Sequence, residues 1–178
     1  MILHMQNIIG QWLVSLKHYI LMCLLLSSPE RLPYNPYCVA LTVFCYFLIG
    51  LLLVDEQRSY ALVCAQISLE LGMLGLIAYW GLRWKKSIGR FLQTFSALVG
   101  INMIITTVTI PIYRSVTNNE TSIENVLIYV TLVILIWNLA VLSLIFKRAF
   151  SISTHLSAMI SFNYFVLYQF VVIWFAWN

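Results

Sequence analysis

Acidic residues are scarce in this chain. Six of its 178 residues are Asp or Glu, and Glu70 alone among them stands inside a long apolar run. Charged residues of both signs make up 9% of the chain, against 62% hydrophobic. An ordinary soluble domain carries about 25% charged residues, so that class is excluded. The ten Lys and Arg are too scattered for a nucleic-acid-binding surface.

Cysteine and histidine are equally sparse. Cys23, Cys38, Cys45 and Cys64 lie in or beside apolar runs, with no CxxC or Cys/His spacing. They read as small hydrophobes, neither disulfide partners nor metal ligands. His4, His18 and His155 are far apart. The chain has no nucleophile–base–acid set, no phosphate-binding glycine loop, no HExxH and no paired carboxylates. Neither an enzyme nor a cofactor is expected. A secretory leader is not expected either: Lys17 and His18 interrupt the first apolar run, and no small-residue cleavage site follows.

What is abundant is apolar sequence in long runs, which reads as an all-α polytopic membrane bundle. Residues 37–178 divide into five expected transmembrane helices, near 37–54, 59–82, 91–113, 125–146 and 155–177. The second, at 24 residues, would extend about 36 Å and cross a ~30 Å hydrocarbon core with some tilt. Before them, residues 1–28 are expected to hold an interfacial amphipathic helix. Asn7, Gln11, Ser15 and His18 share one face; Ile8, Ile9, Trp12, Leu16, Tyr19 and Cys23 share the other. Residues 29–36 carry three prolines, which makes a stiff linker that no helix can cross. A four-residue turn, Asp55–Arg58, makes the first two spans antiparallel neighbours.

Eight of the ten Lys and Arg fall on one side of this layout. The positive-inside rule therefore puts the N-terminus in the cytoplasm and the C-terminus outside. Trp80 and Trp84 at one boundary, and Trp174 and Trp177 at the other, fit aromatic belts. Asn119-Glu120-Thr121 matches a glycosylation acceptor on the outer side.

Glu70 sits at mid-span, where a carboxyl group needs hydrogen-bond partners, neutralisation or a task. Gln66 is one turn away on the same face; Asn102 and Asn138 lie close to the same depth on other spans, and Thr106 shares a helix face with Asn102. Lipid offers no alternative partner, so Glu70 is expected to bond Asn102, Thr106 or Asn138. Ala61, Ala65, Ser68, Gly72 and Gly75 lie opposite as a small-residue face that would admit a close neighbour, placing this helix mid-bundle. Ser96, Gly100 and Thr107 form a similar seam, as do Ser157, Ser161, Tyr164 and Tyr168. Arg83, Lys85, Lys86 and Arg90 form a basic turn suited to lipid headgroups, or serving simply as a topology signal.

The entry Pro29-Glu30-Arg31-Leu32-Pro33-Tyr34-Asn35-Pro36, followed by five spans, resembles small bacterial inner-membrane proteins of the YIP family, whose eukaryotic members interact with Rab GTPases. The long cytosolic region of the eukaryotic members is missing from this sequence. The resemblance implies a membrane scaffold or trafficking role without catalysis. The leading expectation is thus a non-enzymatic protein of the bacterial inner membrane that binds lipids, other membrane proteins or itself. The alternative is a small transporter or channel subunit using Glu70 as a proton or cation site.

Overall fold

A computed structural model describes residues 2–52, 59–117 and 123–177, with side chains described for 8–52, 59–112 and 126–173. The turn Asp55–Arg58, the acceptor at Asn119 and the side chains of His4, Asn7, Trp174 and Trp177 lie outside the described residues. The regular elements are all helical: α1 (Ile2–Cys23), α2 (Pro36–Leu51), α3 (Tyr60–Trp84), α4 (Phe91–Thr117), α5 (Ile123–Phe150) and α6 (Thr154–Trp177).

Four of these, α3 to α6, are long and apolar enough to cross a membrane. The fifth expected span, α2, has 16 residues, about 24 Å of helix, and is shorter than a typical crossing. Its start is written in the sequence. The Asn35 side chain accepts a hydrogen bond from the Tyr37 amide, and Pro36 occupies the first helical turn. Pro111 does not end α4, which continues to Thr117.

The middle of the bundle is α4, not α3 as the small-residue face suggested. Every residue from Ser96 to Met103 is buried, more than two full turns with no outward side. α4 packs against α1, α2, α3 and α5, while α6 lies outside on α5 and α3. On α3, Ala61, Ala65, Ser68 and Gly72 are exposed, and a methyl group added at Gly72 would meet nothing within 4 Å. Small residues permit close approach but do not compel it; among the described residues the face is covered only at Gly75, where an added Cβ would meet the Phe95 ring at 3.5 Å.

Close approaches occur elsewhere. A Cβ at Gly50 of α2 would lie 2.5 Å from Ile67 of α3, and one at Gly100 of α4 would lie 2.5 Å from the Tyr19 ring. Gly81 is covered by the Phe150 ring in the same way.

The Tyr19 contact changes the picture of α1. Its side chain is fully buried, as are Met22 and Ser15. The Tyr19 hydroxyl is 2.6 Å from Ser96 Oγ and 3.2 Å from Thr42 Oγ1. Trp12 Nε1 donates to Thr42 Oγ1, and Asn35 Nδ2 donates to Gln11. At the far end, Trp137 Nε1 donates to the Cys23 carbonyl. α1 therefore slants across α2 and α4 to reach the middle of α5. Polar groups at Gln11 and Ser15 turn toward the bundle, while Ile9, Leu13, Val14 and Ile20 are exposed. The buried side therefore mixes the two expected faces: Ser15 from the polar one with Tyr19 and Cys23 from the apolar one.

Candidate functional site

The Glu70 carboxylate is gripped from two other helices. Tyr46 of α2 donates its phenol proton to Oε2 at 2.7 Å, and Asn102 Nδ2 of α4 donates to Oε1 at 3.2 Å. The Tyr168 phenol of α6 stands beside the same carboxylate. Gln66 Nε2, one turn away on α3, donates to the Tyr168 oxygen at 3.2 Å. Tyr168 in turn stacks on Tyr164, with ring centroids 6.2 Å apart. Four helices thus meet at one carboxyl group.

Of the residues expected around Glu70, Asn102 bonds it directly and Gln66 is linked through Tyr168. Asn138 stands on the wall of a 210 Å³ cavity that Glu70 and Asn102 also line. Thr106 is half-buried and does not line that cavity. Thr131, Tyr164 and Tyr168 supply the other polar groups of the wall; Ile134, Leu135, Leu139, Leu142 and Phe165 make the remainder apolar. Asn102 Oδ1 is buried with no hydrogen-bond partner among the described residues.

Sequence reasoning missed Tyr46 and placed Tyr168 only in a packing seam. The signal was depth: Tyr46 lies about as far into α2 as Glu70 lies into α3, and a buried phenol needs an acceptor.

At the other candidate, the basic turn, the four side chains do not converge. Arg90 pairs with Glu30 at 2.7 Å, both half exposed. Arg83 donates to the Tyr79 hydroxyl, and the Lys85 ammonium lies 5.2 Å from the centre of the Trp84 ring. Lys86 ends α3 with φ at +54°, closing the turn through a Ser87 N–H to Leu82 carbonyl bond.

Chemically, the Glu70 centre offers a carboxyl group, two carboxamides and phenols in a space large enough for a small guest. No family model, curated protein or solved structure matches the chain.

Proposed function

We propose that this is a non-enzymatic integral membrane protein that crosses the bilayer five times, with α2 as a short crossing, and works by binding lipids or other membrane proteins. The observation that carries this reading is the use made of Glu70. Its two oxygens accept from α2 and α4, so the carboxyl fastens helices together. Exposed Tyr34, Tyr37, Trp80 and Trp84 ring the end that also holds Arg83, Lys85, Lys86, Arg90, Lys147 and Arg148. Such a belt supports that end as the cytoplasmic face of a bacterial inner membrane. The resemblance of the sequence to YIP-type proteins is in keeping with scaffolding or trafficking. Cross-linking in the native membrane tests it: reproducible adducts to a defined protein or to itself are expected, and a monomer that cross-links to nothing refutes it.

A second reading is favoured by the cavity itself. Glu70 lines it, and Asn102, whose buried Oδ1 has no partner among the described residues, belongs to the same wall. A proton or small cation held there would make the protein a transporter or channel subunit. Proton or cation flux in proteoliposomes that disappears with Glu70→Gln would establish this second reading over the first.

A further inference from the structure

A larger cavity lies at the basic end, away from Glu70. It encloses about 560 Å³ between the linker after α1 and the end of α5. Arg31, Lys147 and Arg148 line it, together with Ser28 and Ser151. Its one carboxylate, Glu30, is already paired with Arg90, so three cations are left without a carboxylate partner among the described residues.

The cavity is built by two sharp helix ends. α1 stops with Leu25 at φ +64°, closed by a Leu26 N–H to Leu21 carbonyl bond; α5 stops with Ser151 at φ +50°, closed by Ile152 N–H to Lys147 carbonyl. Both are left-handed caps where glycine is the usual residue, and a leucine there is unusual. They bring Leu26 and Ser151 to the rim. Arg148 also donates to the Ser27 carbonyl, which ties the linker to α5. The neighbouring Ser27 hydroxyl is buried with no hydrogen-bond partner among the described residues.

Cations at the end of a helix are favoured by its dipole alone, which accounts for Lys147 and Arg148. It does not account for Arg31 and Ser28, which arrive from a different segment and face the same space. Leu26 on its rim is 70% exposed, and Leu24 and Leu25, which precede it in the chain, are exposed as well. Guanidinium, ammonium and hydroxyl donors on one side, with apolar side chains next to them, match a phosphate group carried on acyl chains.

We infer that the Arg31–Lys147–Arg148 cavity is a binding site for a phosphate-bearing anion, with the headgroup of an anionic phospholipid as the source its leucine rim favours. The inference rests on the reading that this end lies at the membrane surface, and not on any role for Glu70.

The test uses the full chain in detergent and native mass spectrometry, titrated with phosphatidylglycerol, phosphatidylcholine or inorganic phosphate. Arg148 also holds the linker, so the variant replaces only the two exposed cations, Arg31→Gln with Lys147→Gln. The control removes the same charge from the basic turn, Lys85→Gln with Lys86→Gln. Phosphatidylglycerol is expected to bind in preference to phosphatidylcholine, and about tenfold more weakly to the cavity variant, with the control close to wild type. Inorganic phosphate that displaces the lipid at equal concentration, and loses affinity in the same variant, would support the site with a soluble anion as its source. Equal weakening in variant and control, or no preference for the anionic lipid, overturns it. Failure of the protein to fractionate with membranes would instead overturn the membrane reading beneath it.

Discussion

The ring of Tyr19 packs against Gly100 so closely that a Cβ there would sit 2.5 Å from it. This contact locks α1 onto the central helix. Gly100→Ala is expected to push the ring out and destabilise the bundle by roughly 1–3 kcal/mol in unfolding measured in mixed micelles. Gly72→Ala meets open space and is expected to be neutral or slightly stabilising, since alanine is the better helix former.

The hydroxyl of the same tyrosine bridges α2 and α4 through Thr42 and Ser96. Tyr19→Phe keeps the packing and removes the bridge. A loss of about 0.5–1.5 kcal/mol is expected in the same unfolding assay. A residue of a surface-floating helix would show no loss.

The Arg90–Glu30 ion pair joins the turn just before α4 to the linker but is half exposed. Glu30→Gln is expected to cost at most about 1 kcal/mol, and the effect should vanish in high salt.

Crossing by α3 gives a topological prediction. With the four native cysteines changed to Ala, Ser59→Cys and Lys86→Cys place thiols at opposite ends of that helix, where both parent residues are exposed. An impermeant maleimide added to intact cells is expected to label position 59 and to reach position 86 only after permeabilisation. Labelling of both from one side would exclude the crossing.

Much of the helical layout could be read directly from the chain. The apolar runs gave α3 to α6 to within a few residues, because lipid requires backbone hydrogen bonding within each segment. The pairing of Asn102 with Glu70 was legible for the same reason: two polar groups at one depth have few other partners. The facing of α1 was not legible, because amphipathicity does not say which face meets a protein neighbour. The polar groups of Gln11 and Ser15 turned inward to Asn35 and into the bundle. The centre of the bundle was misplaced because small residues mark where approach is possible, whereas α4's unbroken burial depends on what surrounds it. The basic cavity was invisible, since Arg31 and Lys147 are brought together only by the folded linker.

The central claim is that Glu70 fastens helices, and a double-mutant cycle between Glu70→Leu and Tyr46→Phe tests it most directly. Each single variant is expected to lower unfolding stability, with a coupling between the two positions of about 0.5–1.5 kcal/mol. Strictly additive effects, or a Glu70→Leu variant as stable as the parent, would contradict it.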